Sequence, residues 1–232
     1  MSIFVLKVIA CLTMLIGHIP FALPGLAVGR GMACIGKLSF PIFAFLISEG
    51  YVQNKNFSKY LTRLLVFALI AQIFAQLLFF GTIKVLYFNM FFTLALGLLC
   101  IRIVDKFKNK YISYFIVFLL AFLAEILNFD FGAIGVLIIV SFFALKSKPT
   151  FKCLIQIALF FILFIKKSSA YAFTLSNARY ILFLLMFSII GLIFPNLYNG
   201  KKGKNSKFIQ IMSYWFYPLH LMILCLLKLI VL

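Results

Sequence analysis

The sequence predicts an all-α protein, a polytopic bundle of helices embedded in a lipid bilayer. Hydrophobic residues make up 66% of the 232 positions and charged residues only 11%, whereas a soluble globular domain is about 45–50% apolar. The mean hydropathy is +1.19. Apolar runs of about 20 residues recur along the chain, each long enough to cross about 30 Å of hydrocarbon. Because these runs are continuous rather than alternating, they exclude an outer-membrane barrel.

Polar residues divide the chain into about nine apolar segments, of which the fifth to seventh are short. The predicted segments are 3–25, 32–52, 61–80, 86–104, 111–127, 131–145, 151–166, 178–195 and 209–231. No linker, internal repeat or polar domain interrupts them. We therefore treat residues 1–232 as a single transmembrane domain.

The basic residues between these segments predict the orientation of the chain. Fourteen lysines and arginines lie in the second, fourth, sixth and eighth connections, including Lys55, Lys59 and Lys202. Six lie in the other four connections, among them Lys84 and Lys167. Because cytoplasmic loops carry the excess of basic residues, the N-terminus is predicted to be cytoplasmic.

The net charge of +18 and the five cysteines do not indicate other classes of protein. The basic residues set topology between apolar runs and form no separate tail or domain, so we expect no nucleic-acid partner. The cysteines lack the spacing of a metal site, and we expect no bound metal. They are interpreted as small buried apolar residues.

The first segment carries two ionisable side chains, Lys7 and His18. The difference of eleven positions advances about 16 Å and close to three whole turns of helix, so both project from one face. An ionisable group inside a bilayer usually faces a bundle interior or a watery cavity. The alternatives are that Lys7 extends to the interface and that His18 merely forms a hydrogen bond with another helix.

The second histidine of the chain, His220, lies in the last segment shortly after Pro218. Pro218 removes a backbone donor and is expected to kink the helix beside His220. Histidines from the two ends of the chain are predicted to line one polar pocket that is reachable from both sides of the membrane. A purely structural hydrogen bond of His220 is the alternative.

Five further polar residues are candidates for a substrate site: Lys37, Glu49, Asn89, Thr93 and Asp130. Glu49 could instead form an interfacial ion pair with Lys55 or Lys59. Asp130 could belong to an ordinary turn with a helix cap. Asn89 and Thr93 lie one helical turn apart and could line the cavity or hold helices together.

Several stretches together resemble the TraX family over nearly the whole chain. They are "LKVIACLTMLIGHI", "GKLSFPIFAFLISEGY", "YLTRLLVFALIAQI", "NMFFTLALGLL", "FDFGAIGVLII" and "WFYPLHLMIL". The lysine and histidine separated by ten residues, Lys7 and His18, also resemble the first-helix signature of the broader transmembrane acyltransferases. That group includes the acyltransferase-3 proteins and heparan-glucosaminide N-acetyltransferase.

The resemblance implies a multi-pass protein of the bacterial cytoplasmic membrane that transfers acetyl from cytosolic acetyl-CoA to an acceptor on the far side, such as a pilin amino terminus. It implies that His18 is the catalytic histidine and that Lys7 and Lys37 are cationic supports. Family members usually carry Asp immediately before this histidine, and here that position is Gly17. Another group must then orient the imidazole, and Glu49, Asp130 or a backbone carbonyl are the candidates.

Several alternatives for the mechanism and the function stay open from the sequence. His18 could act as a general base or could itself be acetylated. His220, Asn89 or Thr93 could stabilise the oxyanion, and His220 could instead carry a proton. The protein could also be a small proton-coupled transporter or a non-catalytic assembly factor of a pilus or secretion system.

Overall fold

The computed structural model describes residues 1–54, 56–83, 86–168, 175–204 and 206–231, and α-helices account for most of them. Lys55 and Lys84, used above to predict the orientation, lie outside the described residues, and the side chain of Lys167 is not described either. In chain order the helices are α1 (Ile3–Ala22), α2 (Gly29–Gly36), α3 (Ser39–Gln53), α4 (Phe57–Phe80), α5 (Met90–Lys106), α6 (Lys110–Ile126), α7 (Gly132–Ala144), α8 (Pro149–Ser168), α9 (Leu175–Gly191), α10 (Ile193–Asn196) and α11 (Lys207–Val231).

Each of the nine predicted apolar segments corresponds to one helix or to two consecutive helices. The second segment is divided into α2 and α3 at Lys37 and Leu38, and the eighth into α9 and α10. The prediction of a helical membrane bundle is therefore confirmed.

Nine membrane crossings are not confirmed. Within the described residues, six stretches are long and apolar enough to cross a membrane, namely Ile3–Ala22, Gly29–Gln53, Phe57–Phe80, Pro149–Lys166, Ser176–Asn196 and Lys207–Val231. Helices α5 and α6 have 17 residues each and α7 has 13, so α7 is well short of the about 20 residues that a straight crossing needs.

The short helices α5 and α7 and the helix α3 form the centre of the bundle. Ten of the 17 residues of α5 and eight of the 13 residues of α7 are buried, whereas only four of the 17 residues of α6 are. Helix α7 packs against α3, α5, α6 and α8, and α3 also contacts α1 and α9. Helices α1, α4 and α11 lie together on one side of this centre.

Helix α4, which packs against α5 and α11, has one face toward the protein and one face away from it. Ala68, Ala71 and Ala75 follow one face of α4 and are fully buried. Leu69 and Ile73 lie on its other face and are exposed. Small residues allow close approach of two helices, and the exposed aliphatic face suits lipid.

One end of the bundle carries the N-terminus and the loop after α10. The backbone N–H of Ile3 donates to the carbonyl of Lys201 (3.0 Å), and that of Phe4 donates to the carbonyl of Lys202 (3.2 Å). The C-terminal end of α3 bonds to Asp105, Lys146 and Tyr198. These residues lie at or beside three connections that are rich in basic residues, so those connections meet at this end. We call this the inner end.

The other end, which we call the outer end, joins the connections with few basic residues. Arg30 donates to the Ser176 hydroxyl (3.0 Å), and the Asn128 amide donates to the carbonyl of Leu86 (3.0 Å). The connections thus divide between the two ends in the alternation that the sequence predicts.

Candidate functional site

The two histidines of the chain are in direct contact near the outer end. Nδ1 of His18, on α1, lies 2.8 Å from Nε2 of His220, on α11. Their rings are nearly parallel, with an angle of 5° between planes. His220 is buried and His18 is half-buried. The two residues are 202 positions apart in the chain, so their contact joins the first helix to the last.

A third group fixes the proton positions of this pair. Nδ1 of His220 lies 2.7 Å from the backbone carbonyl of Phe216, which only accepts, so this nitrogen carries the hydrogen. In a neutral ring Nε2 of His220 is then the acceptor, and Nδ1–H of His18 donates to it. The remaining nitrogen, Nε2 of His18, keeps its lone pair.

Nε2 of His18 is available to a substrate. It has no hydrogen-bond partner among the described residues, and no fully buried side-chain nitrogen or oxygen there lacks a partner. The atom must therefore be reachable from a cavity. The hydrogen bond to His220 orients the His18 ring, so Nε2 of His18 can act as a base toward the cavity.

His18 lines a cavity of about 450 Å³ at the outer end, the outer cavity. Lys37 and Asp130, two of the predicted site residues, line it as well. Much of the remaining wall is aromatic and comprises Phe21, Phe79, Phe80, Tyr87, Phe131, Phe164, Tyr180 and Tyr217. The outer cavity thus combines a base, a cation and a carboxylate within aromatic walls.

Lys7 lines a different cavity, of about 300 Å³, at the inner end, the inner cavity. Arg63 and Lys202 line it too, which gives three basic residues. Its polar uncharged lining consists of Gln53, Asn54, Tyr60, Gln210, Ser213 and Tyr214. The inner cavity is suited to an anionic ligand.

Two stacked aromatic rings separate the cavities. Phe91 lines the inner cavity and Tyr217 lines the outer one, and their ring centroids are 4.6 Å apart. The sequence-based prediction of one tunnel open to both sides is therefore wrong for this conformation. Helix α1 borders both cavities, with Lys7 and Cys11 in the first and Met14 and His18 in the second.

Asn89 and Thr93 line neither cavity and are fully buried. The Asn89 amide donates to the carbonyl of Ala68 and to Oε1 of Gln72, both at 2.8 Å. The Thr93 hydroxyl donates to the backbone carbonyl of Asp130. Of the two interpretations from the sequence, the structure favours that of residues holding segments together.

Glu49 also lies outside both cavities, near the inner end. Its carboxylate pairs with Lys146 at 3.1 Å and accepts from the Gln53 amide at 2.8 Å. An interfacial ion pair was one prediction for Glu49, but the partner is on the connection after α7 rather than at Lys59. Burial of α3 against α7 brings the two together, which sequence separation does not reveal.

The group that orients His18 was expected to be Glu49, Asp130 or a backbone carbonyl. In the structure His220 contacts His18, and the backbone carbonyl of Phe216 in turn contacts His220.

Helix α11 continues through Pro218 without interruption. Four residues that line the cavities were not predicted as site residues, namely Arg63, Lys202, Phe91 and Tyr217. Of these, Lys202 had served only to predict the orientation of the chain.

Comparisons with known proteins agree with the resemblance seen in the sequence. The family model described as TraX protein matches residues 2–228. A protein of Dichelobacter nodosus named "Probable fimbrial assembly protein FimC, serogroup H1" is 30% identical over 245 residues, covering 97% of this chain and 94% of that protein. No solved structure matches. The chain belongs to the TraX family.

Proposed function

We propose that this protein is a membrane-embedded N-acetyltransferase of the bacterial cytoplasmic membrane. Acetyl-CoA enters at the inner end, and the acetyl group is transferred to an amine at the outer end, such as the amino terminus of a pilin or another peptide. The observation that carries the proposal is the unpaired Nε2 of His18 in the outer cavity, with His220 holding the ring from behind. It matches the geometry of a general base with an orienting partner.

The inner cavity is the proposed site for the phosphates of acetyl-CoA. Lys7, Arg63 and Lys202 converge there, and phosphate oxygens form strong charge-assisted hydrogen bonds with ammonium and guanidinium groups. Lys7 lies on the same helix as His18, about 16 Å away along the axis. The flexible pantetheine arm has to cover that separation.

The arm has to pass the stacked rings of Phe91 and Tyr217. Both rings are buried, so their separation requires rotation of the two side chains together with movement of the groups packed around them. A closed stack in the absence of acetyl-CoA would also keep ions and water from crossing the bundle. The stack therefore acts as a partition that opens for the acyl arm.

The proposed reaction is attack of the acceptor nitrogen on the thioester carbonyl. A C–N bond forms and the C–S bond breaks, while a proton passes from the nitrogen to Nε2 of His18 and then to the departing thiolate. The ammonium of Lys37, which lines the same cavity, is the candidate that stabilises the oxyanion of the tetrahedral intermediate. A positioned base contributes about 10²–10⁴-fold to such a step.

The same lone pair also suits nucleophilic catalysis. Nε2 of His18 would attack the thioester and release the thiolate of CoA, and the acceptor amine would then take the acetyl group from the imidazole. Release of free CoA in the absence of acceptor, in an amount equal to the enzyme, identifies this route. Direct transfer releases CoA only together with acetylated acceptor.

The experiment that tests the proposed function uses purified protein in vesicles with acetyl-labelled acetyl-CoA and a peptide with a free amino terminus. Label on the peptide that depends on the protein supports the enzyme. Label accumulating unchanged inside the vesicles indicates a transporter instead. No label in either place indicates a protein without catalytic activity.

A specific observation favours non-catalytic assembly as the second candidate function. The D. nodosus relative is named a fimbrial assembly protein, and assembly does not require acetyl transfer. Under that alternative His18 and His220 connect α1 and α11, and replacement of either ring by an apolar side chain would impair folding rather than chemistry.

A further inference from the structure

The chain has four acidic residues, and three of them form ion pairs in the structure. Glu49 pairs with Lys146 and Asp105 with Lys106, both at 3.1 Å, and Glu125 pairs with Lys166. Asp130 is the exception. Within the described part of the chain, which does not include Lys84, no lysine or arginine lies within ion-pair distance of its carboxylate. Asp130 lines the outer cavity together with His18.

The loop that carries Asp130 is tied firmly in place. The backbone N–H of Asp130 donates to the carbonyl of Phe88 at 2.8 Å, and the Thr93 hydroxyl donates to the carbonyl of Asp130. Asn128 and Phe131 have φ values of 55° and 65°. Such values are uncommon for residues other than glycine and persist where surrounding contacts fix the backbone. The backbone that carries the carboxylate is therefore fixed by the fold.

The surroundings of this carboxylate suit a positively charged ligand. Aromatic ring faces attract cations, and the wall of the outer cavity is rich in them. The cation of Lys37 lines the same cavity, but it lies over the ring of Phe131, 6.0 Å from the centroid. A ligand ammonium can thus be placed between Asp130 and the aromatic wall of the outer cavity.

We propose that Asp130 binds the ammonium group of the acceptor, so that the acceptors are primary amines rather than hydroxyl compounds. This inference rests on the proposed function, because it assigns the acceptor to the cavity that contains His18. An amine bound as R–NH₃⁺ first gives one proton to water at the outer end, which leaves the nitrogen lone pair free for attack. The second proton passes to Nε2 of His18, in the same cavity, as the amide forms, and from there to the departing thiolate.

The test compares two probes that differ only in the group of interest, phenethylamine and 2-phenylethanol. Binding of each to purified protein in lipid nanodiscs is measured by calorimetry at neutral pH, without acetyl-CoA. We expect the wild-type protein to prefer the amine by about tenfold or more, as a charge-assisted hydrogen bond provides. Asp130→Asn is expected to abolish the preference, and Asp130→Glu to retain part of it.

One control variant separates this proposal from misfolding, and an acetyl-transfer assay separates it from the proposed function. Asp105→Asn, at the inner end, is expected to leave the preference for the amine unchanged. A wild-type protein without preference, or Asp130→Asn with the preference intact, would overturn the proposal. If the preference depends on Asp130 but no variant or wild-type protein transfers acetyl, the ammonium site stands and the acetyltransferase does not.

Discussion

Gly17 of α1 and Gly36 of α2 are in backbone contact. A Cβ added to Gly17 would lie 2.5 Å from the Cα of Gly36, and a Cβ added to Gly36 would lie 2.6 Å from the Cα of Gly17. The next residues along the two helices are His18 and Lys37, and both line the outer cavity. The close crossing thus brings a base and a cation to one cavity. It also leaves no room for the Asp that the resemblance described above leads one to expect before the histidine.

We predict that Gly17→Asp does not restore a family-like carboxylate but destabilises the protein. Gly17→Ala alone should lower the free energy of unfolding by about 1–3 kcal/mol, the usual cost of overpacking, and acetyl transfer should fall with it. Thermal unfolding in detergent measures the effect. Gly31→Ala, in the contacting helix α2 with nothing within 4 Å of the added atom, is the control. A Gly17→Asp protein with wild-type stability and activity would contradict this explanation of the missing Asp.

His220 is predicted to act through His18 as a positioning residue. Gln at position 220 can still accept a hydrogen bond from Nδ1–H of His18, whereas Leu of similar size cannot. We therefore expect His220→Leu to lower the turnover number by about 10²-fold and His220→Gln to recover most of that loss, with little change in the KM for acetyl-CoA. Equal activities of the two variants at equal thermal stability would show that the hydrogen bond has no role in the reaction.

The partition formed by Phe91 and Tyr217 can be tested through the native thiol of Cys11, which lines the inner cavity. With the other four cysteines replaced by Ala, a membrane-impermeant thiol reagent should label Cys11 from the inner side only. In Phe91→Ala the same reagent should label it from both sides, because the stacked ring is gone.

Phe92→Ala is the matched control for this experiment. Phe92 is the next residue of α5, is half-buried, and packs against Phe88 and Phe129 rather than lining either cavity. Labelling that stays confined to the inner side in Phe91→Ala would mean that the two rings do not separate the cavities.

The basic residues of the inner cavity are predicted to determine the affinity for acetyl-CoA. Lys202→Gln should raise the KM for acetyl-CoA by about 5–20-fold without changing the turnover number, because a phosphate contact is made equally in the ground and transition states. Lys204→Gln removes a charge from the same loop but outside the cavity lining. Identical KM values for these two variants would argue for non-specific attraction instead of a phosphate site.

The sequence predicts the helices and the histidine pair well because both depend on local signals. Apolar runs of membrane length define the helices, and His18 and His220 stand out as ionisable residues in apolar segments. The sidedness of the loops follows from their basic residues.

Other features depend on packing between distant segments and could not be predicted. The approach of Gly17 to Gly36, the stack of Phe91 on Tyr217, and the pairing of Glu49 with Lys146 arise only when the helices assemble. In the sequence Asn89 resembles the other polar candidates for a substrate site, but in the structure it is fully buried and bonded to α4. The relation to the acyltransferase-3 proteins stays a prediction.

The most direct test of the account is the rate of acetyl transfer by His18→Ala. Wild-type protein and variant are reconstituted in vesicles at equal thermal stability, with labelled acetyl-CoA on the inner side and a peptide with a free amino terminus on the outer side. We predict that transfer falls by at least about 10²-fold in His18→Ala. Transfer within about twofold of the wild-type rate would contradict the catalytic role of the His18 imidazole. It would fit a histidine that is purely structural.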